Sequence, residues 1–361
     1  MSCSARREAL RALLPGAGVD ALLVTDLVNV RYLTGFTGSN AALLVHAAGD
    51  GASSFCTDGR YRTQAGAEVP DLETVIDRAS ALALARQVPA SEVERLGFES
   101  DAVTVDAYDA LAKAAAGVPL HRAPGLVQRL RAVKDEGEVE ALRRACAVGD
   151  SALADLIAEG GLRAGRTERE VALDLEDRMR AHGAGGPAFS TILAAGVHSA
   201  VPHHRPTASE LRPGDLVKLD FGALVDGYHS DMTRTVVLGR AAGWQRELHA
   251  LVAEAQAAGR AALMPGTQVT AVDAAARDVV ERAGRGEEFV HGLGHGVGLQ
   301  IHEAPALART GTGTVAAGMV VTVEPGVYLA GRGGVRIEDT LVVRDTGPEL
   351  LTHTTRELLE V

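Results

Sequence analysis

Apolar and polar positions alternate differently in the two halves of the chain. From residue 21 to about residue 120, short apolar runs such as ALLVT (21–25) and AALLVHAAG (41–49) are separated by segments with helical spacing, for example TVDAYDALAKAAAG (104–117). Strands that alternate with helices in this way are typical of α/β structure. The pattern therefore predicts an α/β domain of the βαβ type, which we place at residues 1–130.

The second half begins at a polar joint near residues 131–134 and continues as one long helical pattern. A second helix is predicted to begin at Thr167, because Thr167 and Glu170 have the spacing of a capping box. Apolar residues follow at helical spacing (Val171, Leu175 and Met179). Two more helices are predicted at 243–263 and 270–284.

The strands of the second half are of another kind. DLVKLDFGALVDGYHSDMTRTVVLG (215–239) has an Asp-Gly pair at its centre and predicts a β-hairpin, and residues 318–343 predict another hairpin around GRGG. Long helices combined with strands joined as hairpins are typical of an antiparallel α+β domain. We assign this second domain to residues 134–361.

Each predicted hairpin carries a pair of carboxylates within an apolar run. A turn centred on the Asp-Gly pair places Asp220 opposite Thr233 and makes Asp231 a diagonal neighbour on the same face. A turn centred in GRGG places Glu324 opposite Glu338. The hairpins thus present two pairs of acidic side chains on faces that should be buried.

Four buried carboxylates that lie close together repel one another unless positive charge lies between them, and a divalent metal supplies that charge. The segment FVHGLGHGVGLQIHEAP (289–305), between the hairpins, adds His291, His295 and His302. One imidazole and four carboxylates make five ligands, enough for two divalent ions per chain. Ligands rich in oxygen favour Mn²⁺, with Co²⁺, Fe²⁺ or Zn²⁺ as alternatives.

Other motif interpretations fail on spacing. The glycines of GLGHGVG do not have the GxGxxG spacing of a dinucleotide-binding loop. His302 and Glu303 begin like the zinc motif HExxH, but Ala306 stands where the second histidine would be. The cysteines lack Cys-x-x-Cys spacing, which excludes a thiolate zinc site of that type.

Composition and charge limit the kinds of binding partner and the cellular location that we expect. The formal net charge of −11 comes without any basic cluster, so neither nucleic acid nor an anionic membrane is an expected partner. The sequence has no signal-peptide core and no apolar run long enough for a membrane helix. We expect a cytoplasmic protein.

Four motifs follow one another in the second half: LDFGALVDGYHSDMTRT, HGLGHGVGLQIHEAP, TVEPGVY and GVRIEDTLVV. In sequence and in order they resemble the pita-bread metallopeptidases, the family of methionine aminopeptidase, prolidase, aminopeptidase P and creatinase. The resemblance covers about 200 residues. In the first half, NVRYLTGFTGSNAALLV and TDGRYRTQA resemble the aminopeptidase P branch. The resemblance implies a creatinase-like α/β N-terminal domain followed by an α+β pita-bread catalytic domain.

The resemblance also implies roles for individual residues. It implies a dinuclear centre, bridged by two of its ligands, with the ligand set Asp220, Asp231, His295, Glu324 and Glu338. His203 and His302 correspond to catalytic histidines, and Glu324 is placed to transfer a proton. His291 and Arg336 correspond to substrate-binding residues, of which His291 matches a histidine that lines the pocket and Arg336 a conserved arginine. For His204, beside His203, we expect a surface or hydrogen-bonded side chain without a catalytic role.

The activity implied is that of a metal-dependent Xaa-Pro aminopeptidase acting on short proline-containing peptides, in a homodimer. An Xaa-Pro dipeptidase is the alternative within the family, and a metal-free peptide-binding module is the non-enzyme alternative. Some prolidases have an arginine after the HExP motif that binds the substrate carboxylate, but Ala306 and Leu307 follow here. Arg309 could compensate. His198 occupies a position where the family commonly has asparagine.

Overall fold

The structure is a computed structural model that describes residues 1–361, and it divides into two compact units, Met1–Arg131 and Ala132–Val361. No helix in the chain combines the length and the apolar composition that crossing a membrane requires.

The first unit is built on a six-stranded sheet with the order β4-β3-β2-β1-β5-β6. Its strands are β1 (Ala21–Val24), β2 (Ala41–His46), β3 (Ser54–Thr57), β4 (Glu73–Ile76), β5 (Leu96–Phe98) and β6 (Leu120–Arg122). The helices that begin in it are α1 (Cys3–Arg11), α2 (Leu27–Thr34), α3 (Arg62–Glu68), α4 (Ser80–Gln87), α5 (Val105–Ala114) and α6 (Leu126–Ala132). The predicted α/β class is confirmed.

The βαβ pattern is not continuous in this sheet. Strand β2 runs antiparallel to both β1 and β3, while the three remaining neighbour pairs are parallel. Only residues 47–53 join β2 to β3, and a parallel crossover needs a dozen residues or more. The short connection therefore forces a hairpin at this point, and the sheet is mixed.

The second unit contains four long helices and thirteen strands. The helices are α7 (Glu136–Ala158), α8 (Glu168–Ala181), α9 (Gly243–Ala261) and α10 (Val269–Arg282). The strands before α9 are β7 (Gly186–Pro187), β8 (Ile192–Ala195), β9 (Leu216–Phe221), β10 (Ala223–Val225), β11 (Tyr228–His229) and β12 (Met232–Val237). Those after α10 are β13 (Gly294–Gly296), β14 (Glu303–Leu307), β15 (Val320–Val323), β16 (Gly326–Leu329), β17 (Gly333–Arg336), β18 (Asp339–Arg344) and β19 (Gly347–Leu350).

Helix α8 begins as its sequence predicts. The Thr167 hydroxyl accepts a hydrogen bond from the Glu170 N–H, and the Glu170 carboxylate accepts one from the Thr167 N–H. The apolar stripe of this helix is buried against α7 and the first-hairpin strands, in a core that includes Leu153, Leu175 and Leu219. Helices α9 and α10 bury their apolar faces against the strands of the second hairpin.

Both predicted hairpins are present, and each is interrupted at one point without a change of register. In the first, Phe221 pairs with Met232 and Leu224 pairs with His229, so the two ladders continue across a gap at Gly222. A Cβ atom at Gly222 would lie 1.7 Å from the Ser230 carbonyl oxygen. Only glycine permits this close approach of the two strands.

The second hairpin has the same design. Val323 pairs with Asp339 and Gly326 pairs with Arg336, so Glu324 and Glu338 lie opposite each other in the gap between the two ladders. Pro325, which follows Glu324, has no N–H to donate and so favours the interruption. The gap removes both glutamates from regular strand pairing and leaves their side chains available to a site.

Candidate metal centre

The four carboxylates of the two hairpins meet at one cavity of about 540 Å³. The predicted pairing of Asp220 with Thr233 is confirmed. The other three carboxylates lie in the gaps of the two hairpins. The cavity is lined by side chains that include Asp220, Asp231, Glu324, Glu338, His295, His203 and His302. Seven of the nine residues that the sequence selects as site residues therefore share one cavity.

His295 is oriented as a ligand. Its Nδ1 lies 3.0 Å from the Gly296 carbonyl oxygen, which can only accept a hydrogen bond, so Nδ1 carries the proton. The lone pair of Nε2 then faces the carboxylates, at 3.4 Å from Glu324 Oε1 and 3.6 Å from Asp231 Oδ2. Burial lowers the pKa of His295 to about 4, which keeps the ring neutral at pH 7. A neutral imidazole held by its other nitrogen is suited to bind a metal.

The buried carboxylates lack the positive charge that they require. Asp231 Oδ1 and Glu338 Oε1 are buried without any hydrogen-bond partner. Burial, together with the charges of the neighbouring carboxylates, raises the pKa of Asp231 and of Glu338 well above the usual values. Unpaired buried oxygens of this kind are strongly unfavourable unless a cation contacts them. The residues present therefore fit a site for divalent cations.

Arg336 supplies only part of the compensation. Its guanidinium forms an ion pair with Asp220, and its Nε lies 3.9 Å from Glu324 Oε2. One guanidinium against the four carboxylates leaves three negative charges uncompensated when all are ionised. Arg336 is 1% exposed and also donates to the Tyr328 hydroxyl at 2.8 Å, so it forms the wall behind the carboxylates.

His291 is not among the side chains that line this cavity. It borders a neighbouring cavity of about 860 Å³, and its Nε2 lies 2.8 Å from the Tyr328 hydroxyl. Burial lowers the pKa of His291 to about 4, so the ring is neutral at pH 7. Tyr328 connects His291 to Arg336, because its hydroxyl contacts both side chains.

The two remaining histidines are exposed at the cavity. The rings of His302 and His295 are 4.4 Å apart, edge to face. The turn that presents His302 is held by the next residue, because the Glu303 carboxylate forms a buried ion pair with Lys134 at 2.9 Å. His203 also lines the cavity and lies in a loop that precedes β9.

Sequence reasoning missed the residue that holds the His203 loop. Lys218 on β9 is fully buried, and its Nζ donates to the carbonyl oxygens of Val201 at 2.6 Å and of Pro202 at 3.1 Å. Burial lowers the pKa of Lys218 to about 6. The one available signal was a lysine at an inward position of the apolar run LVKLDF.

The Glu324 carboxylate should make the stability of the metal-free protein depend on pH. Burial raises its pKa from an ordinary value near 4.5 to about 7. Below pH 4.5 the group is protonated in both the folded and the unfolded chain, whereas above pH 7 it is ionised in the folded chain at a cost. Metal-free Glu324→Gln protein should therefore exceed wild type in free energy of unfolding by roughly 3 kcal/mol at pH 8, and by little at pH 4.5.

Denaturant unfolding of both proteins after chelation, across this pH range, measures that difference. Taking the difference between variant and wild type cancels the contribution of Lys218, which titrates in both proteins. The charge of Glu324 also helps to raise the pKa of Glu338, so its removal adds to the advantage of the variant in the same direction. An advantage of Glu324→Gln that stays constant with pH would contradict the assigned environment of Glu324.

Comparisons with known proteins identify related chains. Residues 140–345 match the model of metallopeptidase family M24, and residues 6–133 match the creatinase/prolidase N-terminal domain. The peptidase YqhT of Bacillus subtilis is 38% identical over 353 residues, which cover 98% of this chain and 99% of the relative.

Solved structures show the same similarity. The Xaa-Pro dipeptidase from Bacillus anthracis superposes with a TM-score of 0.95 at 36% identity, covering all of both chains. The X-Pro aminopeptidase from Thermotoga maritima MSB8 superposes with a TM-score of 0.89 at 33% identity, covering 98% of this chain and 99% of the other.

Proposed function

Because the chain belongs to metallopeptidase family M24, we propose that its carboxylate-lined cavity is the active site of an Xaa-Pro aminopeptidase. Its substrates would be short peptides with proline in second position, from which the N-terminal residue is removed. The observation that carries the proposal is the set of buried, uncompensated carboxylates around one neutral imidazole at an open cavity. The similarity to an X-Pro aminopeptidase and to an Xaa-Pro dipeptidase supports specificity for proline.

The cofactor would be a pair of divalent cations held by the five-residue set Asp220, Asp231, His295, Glu324 and Glu338. Asp231 and Glu338 would contact the cations through buried oxygens that have no hydrogen-bond partner. Mn²⁺ is the first choice for this oxygen-rich set. When bound, the cations would lower the pKa of a water molecule and polarise the scissile carbonyl.

Three side chains would transfer protons, donate to the reacting carbonyl and bind the substrate. Glu324 would carry a proton at its carboxylate to the leaving proline nitrogen. His302, exposed at the cavity and not oriented toward the carboxylates by any hydrogen bond, would donate to the oxygen of the reacting carbonyl. His203 would hold the substrate from the opposite loop, which Lys218 anchors.

Two of the arginines that could serve a dipeptidase are engaged elsewhere, which leaves Arg205 as the one candidate. A dipeptidase must compensate the carboxylate of the proline residue with a positioned cation. Arg309 is 62% exposed, forms an ion pair with Glu281 and borders the other cavity, and Arg336 is buried against Asp220. Neither is available, so the earlier expectation that Arg309 could compensate is not supported. Arg205 is the one arginine or lysine that lines the cavity.

We therefore expect kcat/KM to be higher for Xaa-Pro-Xaa tripeptides than for matching Xaa-Pro dipeptides. At an open cavity a third residue would make contacts that a dipeptide lacks. Steady-state kinetics on three peptides with one shared N-terminal residue, the third lacking proline, measure this preference. A tenfold advantage of the dipeptide, about 1.4 kcal/mol in transition-state binding, would contradict the aminopeptidase assignment.

Arg205→Gln and Arg309→Gln separate the two functions further. If the protein were a dipeptidase, Arg205 would be the candidate carboxylate partner, and its loss would raise KM for dipeptides more than for tripeptides. For an aminopeptidase, both variants should leave the tripeptide preference in place.

The proposal also covers the oligomeric state, location and partners of the protein. A homodimer in the cytoplasm, without nucleic-acid or membrane partners, is consistent with the acidic charge and with the family resemblance. The non-enzyme alternative, a metal-free binding module, is not supported, because the relatives that match nearly the whole chain are peptidases.

A further inference from the structure

We propose that Glu168, His198 and His204 form a second metal site of the zinc class, with a ligand set distinct from that of the carboxylate centre. The possible ligand atoms of these three side chains all lie within 4.8 Å of one another. None of the three belongs to the five-residue ligand set, and His204 lines the same cavity as that set.

The geometry of this Glu168 site fits a single cation. Glu168 Oε1 lies 2.8 Å from His198 Nδ1, and Oε2 lies 2.8 Å from His204 Nε2. Ligands bound to one Zn²⁺ at about 2.0–2.2 Å are themselves separated by about 3 Å, so the observed spacing requires little adjustment. The two rings stack with centroids 4.4 Å apart, which directs both nitrogens to the same carboxylate.

The carboxylate is held in place by groups other than the imidazoles. Oε1 accepts a hydrogen bond from the Ala195 N–H at 2.9 Å, and Oε2 accepts bonds from the Thr207 N–H at 2.9 Å and the Thr207 hydroxyl at 2.6 Å. These bonds can remain when a cation replaces the protons between the imidazoles and Glu168. Outer hydrogen bonds that orient a ligating carboxylate are typical of metal sites.

A cation has access to the site, and the ligand chemistry differs from that of the cavity. The His198 side chain is 35% exposed, whereas Glu168 is fully buried at the first residue of α8. Two imidazoles with one carboxylate favour Zn²⁺, while the oxygen-rich set favours Mn²⁺. Bound metal would tie α8 to the segment that carries His203, since His204 is the next residue.

His198→Asn tests the site in the full-length protein. Asparagine can still donate a hydrogen bond to Glu168, so the fold should persist, but one imidazole ligand is lost. The matched control is His182→Asn, because His182 also contacts a single carboxylate, Asp155, at 2.7 Å and is 36% exposed. It lies at the other end of α8, without a second imidazole.

The measurement is zinc bound per chain at saturating Zn²⁺, by elemental analysis after equilibrium dialysis. Wild type and His182→Asn should each bind one equivalent more than His198→Asn, and Zn²⁺ should raise the Tm of the first two by more than that of His198→Asn. Because both readouts are differences, they do not depend on occupancy of the carboxylate centre or on peptidase activity. Equal zinc content in all three proteins would overturn the proposal and leave the cluster a hydrogen-bonded network.

Discussion

Asp231→Asn protein should remain folded and lose turnover of proline peptides by at least about 1000-fold, equivalent to about 4 kcal/mol of transition-state stabilisation. Asp231 lies in the gap of the first hairpin, is 4% exposed and has one oxygen without a partner. The amide keeps the shape of the side chain but removes a charge that would hold the cations. Metal content per chain and kcat should therefore fall together.

Stability distinguishes this loss from misfolding. Burial raises the pKa of Asp231, so the ionised carboxylate destabilises the metal-free folded protein near neutral pH. Metal-free Asp231→Asn protein should accordingly be no less stable than metal-free wild type. The matched control is Asp226→Asn at the turn of the same hairpin, where the side chain is 71% exposed and pairs with Arg144. Full activity of Asp231→Asn would exclude a dinuclear mechanism at this site.

His302→Ala protein should keep its metal but lose roughly 100-fold or more in kcat, the usual scale for removing one donor to a developing oxyanion. His302 lines the cavity beside His295 but lies outside the cluster formed by Asp231, His295 and Glu338. Its substitution removes a donor without removing a ligand. The expected signature is an unchanged metal stoichiometry with a lower kcat.

His295→Ala is the control for this assignment, because loss of that imidazole should lower metal content as well as kcat. The ring of His295 is fixed by its bond to Gly296 and faces Glu324 and Asp231. If His302→Ala lost metal and His295→Ala did not, the roles of the two histidines would have to be exchanged.

Hairpin geometry explains why so much of the site was predictable. Asp226 and Gly227 both adopt positive φ, as a tight Asp-Gly turn requires, and that turn determines the pairing of Asp220 with Thr233. Gly331 likewise has a positive φ at the centre of the second hairpin, and counting outward from it places Glu324 opposite Glu338. Each turn thus determines the relative positions of the two carboxylates in its own hairpin, and contacts between the hairpins, such as Thr233 with Glu338, bring the two pairs together.

The remainder depends on contacts between residues distant in sequence. Nothing near Lys218 in the chain indicates that it binds carbonyl groups of the His203 loop, and no local pattern indicates that Tyr328 connects His291 to Arg336. The antiparallel direction of β2 against β1 was also hidden, because it depends on how β2 returns beside β1 and not on the pattern within either strand.

Product analysis on one Xaa-Pro-Xaa tripeptide tests the central claim most directly. Protein freed of metal by chelation and then reloaded with Mn²⁺ should release the N-terminal amino acid and a Pro-Xaa dipeptide, and the chelated protein should release neither. Mass spectrometry of the two reactions identifies the bond that is cleaved. An intact tripeptide after reloading, or equal cleavage with and without metal, would contradict a metal-dependent Xaa-Pro aminopeptidase.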